Sequence, residues 1–205
     1  MFNLIDGAKF DFISKLKENY EINGEWIYAN VSAEKILPVF NAFIESEVGC
    51  RFCLFIEIPS NIKDENPLGV SEDGWYHFQE KHVDVYYLDN ISADYLIGLL
   101  NTYGEILVND GLSHFGILSQ SRNEIGKYKY NVIKAYSPNG SVPKLTKSFE
   151  DFGLTETENL ITAWDYFSAE HYGESKVIKV NGTDIYDIVD MLCEVGMYKY
   201  EQRED

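Results

Sequence analysis

Apolar residues along this chain follow helical spacing in some stretches and strand-like alternation in others. Lys9 to Tyr20 places Phe10, Ile13, Leu16 and Lys17 near helical spacing, which predicts a short amphipathic helix. Asn23-Gly24 is a turn signal, and Trp26 to Ala29 then predicts a strand. Ser32 is a good N-cap for a helix whose apolar face is Ile36, Val39, Phe40, Phe43 and Ile44. Pro38 removes a donor inside that helix and disfavours helix before it, so the helix is expected to begin near Leu37 or to kink there. Arg51 to Ile58 is the next strand.

Residues 59–74 are polar and rich in turn formers, a long loop of the kind that often carries function. Trp75 to Leu88 predicts one or two strands. Ser92 caps a helix with Leu96, Leu99, Leu100, Tyr103, Ile106 and Leu107 on one face, stopped by Asp110-Gly111. His114 to Ser119 and Lys127 to Tyr136 predict a β-hairpin over about 114–136. The stretch 137–143 (SPNGSVP) is linker-like. It can subdivide the single domain 1–205 into a sheet-rich part, 1–136, and an acidic helical part, 144–205. Thr155 and Glu158 form a capping box for a helix bearing Leu160, Ile161, Trp164 and Phe167. Lys176 to Val180 predicts a strand. Thr183 is then placed to cap a last helix with Ile185, Ile188, Val189 and Leu192 inward and Gly196 as its stop.

Helices alternating with strands, plus a local hairpin, predict an α+β domain, with mixed α/β as the neighbouring class: a mixed sheet flanked by helices. No glycine-rich dinucleotide fingerprint follows a strand. A faint repeat joins Asn30-Val-Ser32, Asn90-Ile-Ser92 and Asn181-Gly-Thr183. Duplication explains it, and so does convergence, because Asn suits the turn and Ser or Thr the cap.

Composition narrows the function classes. In 205 residues, 45% are apolar and 15% aromatic, which excludes intrinsic disorder. The 34 acidic residues against 17 basic give a net charge of −17, which argues against nucleic acid and anionic membranes as partners. Residues 149–205 hold 14 of the acids and 4 of the bases, so the surplus concentrates toward the C-terminus. The N-terminus shows no signal-peptide pattern, and no apolar run approaches the ~20 residues of a membrane span. Three cysteines fit a reducing compartment, and the expected location is the cytoplasm.

Several groupings resemble known chemistry and depart from it. Cys50-Arg-Phe-Cys53 opens a strand pattern, not a helix, and lacks two further zinc ligands at suitable spacing. His77, Glu80 and His82 gather two imidazoles and a carboxylate, but spacing of five on a strand sends the histidines to opposite faces. Ser113 sits in a G-x-S-x-x-G that reverses the order of a nucleophile elbow. No catalytic residue, metal or cofactor is therefore assigned.

Two acidic features point to a partner surface. Asp64, Glu65, Glu72 and Asp73 precede Trp75 and Tyr76, an acidic rim beside aromatic anchors. Asp184, Asp187, Asp190 and Glu194 fall on or near the side of the last helix opposite its apolar stripe. Their mutual repulsion would be relieved by incoming lysines and arginines.

The size, the −17 charge, the absence of catalytic motifs and the wealth of Tyr, Asn, Ile and Lys together resemble small acidic bacterial immunity proteins. That resemblance implies a basic toxin domain as partner, bound and blocked, and carries over no individual residue. The expectation is a non-catalytic acidic protein docking a cationic protein. The alternative is a small enzyme with a dispersed histidine and carboxylate site around His77, His82 and His114. A self-associating module is a third reading, motivated by the aromatic content.

Overall fold

A computed structural model describes residues 2–60, 74–75, 82–138, 142–168 and 170–204. The elements run β1 (Ala8–Lys9), β2 (Asn19–Asn23), β3 (Trp26–Asn30), α1 (Ala33–Ser46), β4 (Phe52–Pro59), β5 (Val83–Ile91), α2 (Ala93–Asn109), β6 (His114–Ser119), β7 (Glu124–Lys127) and β8 (Val132–Tyr136). They continue with α3 (Val142–Asp151), β9 (Thr155–Glu156), β10 (Glu174–Ser175), α4 (Ile185–Glu194) and β11 (Tyr198–Arg203). The fold is α+β. Nine strands form one sheet in the order β11-β5-β4-β6-β7-β8-β3-β2-β9, antiparallel except for the β2–β9 pair. β1 and β10 make a separate two-stranded ribbon.

The four α-helices pack on one face of the sheet. Leu54, Ile56 and Ile58 of β4, Phe115 and Ile117 of β6, Ile125 of β7 and Ile133 of β8 point into one apolar core. From the helices come Phe40 and Phe43 of α1, Leu96 and Leu100 of α2, Leu145 and Phe149 of α3, and Ile188 and Leu192 of α4. The period-two alternation of the strands and the stripes of the helices thus meet in a single layer. Both edges of the sheet, β9 and β11, come from the chain after residue 143, so the sheet-rich and acidic stretches share this core.

The structure corrects several local expectations. No helix spans Lys9 to Tyr20; a single 3-10 turn (Ile13–Lys15) is followed by β2, whose pairing with β3 and β9 outweighs local spacing. The hairpin at 114–136 is a three-stranded meander, because Tyr130 and Asn131 take left-handed backbone (φ 56° and 62°) and separate β7 from β8. Such backbone is costly for non-glycine residues. Asn131 offsets it with its side chain, which accepts Ile5 N–H and donates to Asn3 and Val31 carbonyls.

Helix α1 begins at Ala33, with Pro38 inside it, rather than starting near Leu37. The helix expected from Thr155 is replaced by β9 and a 3-10 turn over Ala163–Tyr166. The capping box is real but sits seven residues later, at Thr162 and Asp165. Helix α3 starts at Val142, inside the expected linker. Lys176 to Val180 forms no strand beyond a single bridge from Val180 to Thr183, and Asp184, not Thr183, caps α4. Asn90 and Asn181 adopt the left-handed turn backbone, whereas Asn30 does not and instead donates to Lys17 and Ile161 carbonyls.

Candidate functional site

Among the described residues, the sheet's second face carries no helix, so its outward side chains are the natural place to look for function. Register aligns them in rows across the strands. One row runs Tyr198, Tyr87, Phe55, Gly116, Gly126, Lys134, Tyr28 and Glu21. A second runs Glu201, Val85, Glu57 and His114, and a third includes Trp26, Tyr136, Glu124 and Leu118.

At the centre two glycines oppose each other. A Cβ on Gly116 would fall inside the Phe55 ring, and one on Gly126 would crowd the Tyr128 and Phe55 rings. Their absence of side chains lets Phe55 lie against the backbone and become buried without a helix over it. Tyr87 meets Phe55 edge-on at 6.5 Å, and Lys134 Nζ lies 4.2 Å over Tyr128.

Beside this small second core sits a charge cluster. The His114 Nδ1–H donates to Glu57 Oε2 at 3.1 Å, and Arg203 reaches Glu57 Oε1 at 2.8 Å. Glu57 is only 7% exposed. Burial alone would raise its pKa, but His114 and Arg203 outweigh that and hold the carboxyl below its ordinary value. Burial pushes the His114 imidazole down, against the pull of Glu57, so the ring is neutral at neutral pH. Its Nε2 is buried and meets no hydrogen-bond partner among the described residues.

The exposed aromatics lie toward the margins of this face: Trp26 is 40% exposed, Tyr198 44% and Tyr200 59%. Carboxylates stand among them. Tyr198 donates to Asp89 at 2.6 Å and Tyr136 to Glu25 at 3.1 Å, and Glu124 and Glu201 complete the rows. One end of the face is closed by the chain after β9, where Leu160 N–H donates to Glu21 at 2.7 Å.

The acidic helix divides in use. Asp184 accepts the N–H groups of Tyr186 and Asp187 and pairs with Lys179 at 2.9 Å, while Asp187 accepts the N–H of Asp184 at 2.9 Å. The Asp184 carboxyl is held below its ordinary value: burial opposes this, and Lys179 and the capping N–H groups outweigh it. Asp190 and Glu194 are exposed, next to exposed Met191 and Val195. Trp75 lies between two of the chain's own lysines, with Lys9 Nζ at 4.5 Å and Lys176 Nζ at 4.4 Å from its ring. Asp64, Glu65, Glu72, Asp73 and Tyr76 lie outside the described residues, as does His77.

The two remaining candidate histidines do not share a carboxylate: His82 Nε2 lies 3.8 Å from Glu204, whereas His114 uses Glu57. Cys50, Cys53 and Cys193 are free thiols, and burial pushes the Cys53 thiol up, away from reactivity. Among the described residues no three histidine, cysteine or carboxylate side chains converge on a metal position, and no helix is long and apolar enough to cross a membrane.

The open-face rows were not foreseen from the sequence. Their signal was the alternation Trp26-x-Tyr28, Lys134-x-Tyr136 and Tyr198-x-Tyr200, which marks outward aromatics once strand pairing is known. No family model, no curated protein and no solved structure matches this chain.

Proposed function

We propose that this chain is a non-catalytic acidic protein that docks a positively charged protein partner. Its most specific form is a cytoplasmic immunity protein neutralising a basic toxin domain. The observation that carries the reading is the sheet face that none of the described helices covers, where exposed aromatics stand among carboxylates, in a chain with twice as many acidic as basic residues. Aromatic anchors supply contact area and carboxylates supply steering toward lysine and arginine. Asp190 and Glu194 form a second acidic patch, on the outer side of α4 and so across the sheet from the open face, and take no part in the cap.

The test is titration of the purified product of the adjacent reading frame onto this protein at low and high salt. Association should be fast and should weaken as salt rises. Asp190→Lys combined with Glu194→Lys should slow it further. Association indifferent to both would overturn the reading.

The enzyme alternative draws on the His114–Glu57 contact, the arrangement that orients a general base. It is the weaker reading, because Nε2, the atom that would take a substrate proton, is enclosed.

A further inference from the structure

The Trp26 end of the open face is built for more than unselective attraction. Pairing puts Trp26 directly opposite Tyr136, and Tyr136 opposite Glu124. The Trp26 ring lies 4.7 Å from that of Tyr136 and 6.4 Å from that of Tyr28, with interplanar angles of 38° and 23°. Trp26 therefore packs obliquely against both tyrosines, and the three rings make one aromatic wall in which Trp26 is 40% exposed. The Tyr136 hydroxyl fixes the Glu25 carboxylate at one rim, and Glu124 stands at the other. Lys134, the cation on the neighbouring row, lies over Tyr128 and so shows a cation resting on a ring of this same face. Arg122 is near enough for its charge to act on the Tyr136 hydroxyl.

Planar rings edged by carboxylates suit one cation better than the other. A guanidinium is flat, weakly hydrated, stacks on aromatic faces and forks onto carboxylates, whereas an ammonium is a compact, strongly hydrated point charge. We propose that the wall of Trp26, Tyr28 and Tyr136, with Glu25 and Glu124, seats arginine side chains of the partner. This rests on the basic-partner reading and gives that partner an arginine-bearing contact segment.

The test uses the full chain and two probes of equal length, an oligo-arginine and an oligo-lysine peptide, titrated by calorimetry. Oligo-arginine should bind more tightly. Trp26→Ala should weaken it about threefold to thirtyfold, the range of a cation–π contact. Trp26→Phe, which keeps a π face, should retain most of the affinity and guards against a folding artefact. Asp190→Lys with Glu194→Lys should leave the preference for arginine intact. Equal affinity for the two peptides, no binding of either, or indifference to Trp26→Ala in a normally folded variant would overturn the proposal. If the natural partner still lost affinity on charge reversal at Asp190 and Glu194, the broader function would survive that result.

Discussion

Each face of the large sheet carries an ionic cluster, and the two are handled in opposite ways. On the helix-covered face, Lys127 is fully buried, and its Nζ donates to the carbonyls of Asp110 at 2.7 Å and Ser113 at 3.2 Å. Asp110, also fully buried, accepts the N–H groups of Leu112, Ser113 and Ile178. This pair ties the end of α2 to β7 and to the chain beyond β10. At the same junction Gly111 touches Gly7 so closely that neither backbone leaves room for a Cβ.

Burial lowers the Lys127 pKa to about 8, against the pull of Asp110, and pushes Asp110 up despite the nearby ammonium. On the open face, Glu57 is buried but its partner Arg203 is half-exposed, so only the guanidinium end of this pair meets water. The lesson is that the inner cluster positions three chain segments at a cost in desolvation, whereas the outer one organises a surface.

The sharpest way to break this comparison is Lys127→Met. It leaves Asp110 buried without its cation and should cost about 3–5 kcal/mol, measured by urea unfolding. The pH profile sharpens it. Lys127 has a lower pKa folded (about 8) than its ordinary 10.5, so between those values the unfolded chain holds the extra proton. This group's contribution to stability therefore rises with pH across that window, and the rise should vanish in Lys127→Met.

On the open face, Gly116→Ala should cost about 1–3 kcal/mol by displacing Phe55. Adding Phe55→Ala should recover part of that loss, giving a non-additive cycle. Simple additivity would mean that Phe55 does not depend on the glycine.

Glu57→Gln should cost less than Lys127→Met, about 1–2 kcal/mol, because Arg203 can turn to water. Glu57 and His114 both titrate below their ordinary values when folded. Their stabilisation is present above the unfolded values and is lost as pH falls, so Glu57→Gln should flatten the acid limb of the stability profile.

The smallest effects separate the carboxylates of α4. Asp184→Ala should cost about 0.5–2 kcal/mol as a lost N-cap. Asp190→Lys with Glu194→Lys should leave the melting temperature unchanged and act on partner association alone.

Much of the fold is legible in the chain. The helices at Ser32 and Ser92 were visible because a cap-type residue and an apolar stripe coincide; Ser92 accepts Tyr95 N–H as expected, whereas the Ser32 side chain makes no capping bond and accepts Asn3 N–H instead. The strand at 51–58 was visible as a continuous apolar run. Segments 9–20 and 155–167 misled, since both carry helical spacing yet pair with or fold around the β2–β3 edge. β11 was missed because its alternation of tyrosine with charge leaves no buried side to detect. The exposure of Asp190 and Glu194 was legible as a polar helix side opposite the apolar stripe of α4, whereas the open-face aromatics were not read as a site. Which face of a strand is covered depends on helices remote in sequence.

Local periodicity, caps and charge count thus determined that this chain is an acidic α+β protein with stable helices and an apolar sheet. Tertiary structure alone decided which carboxylates became caps, which became ion-pair partners and which stayed in solvent. Among the described residues, it also decided that one sheet face carries no helix. The reason is physical: period-two alternation assigns side chains to two sides but does not say which side a helix will cover, and a carboxylate's role is set by neighbours that only folding brings near.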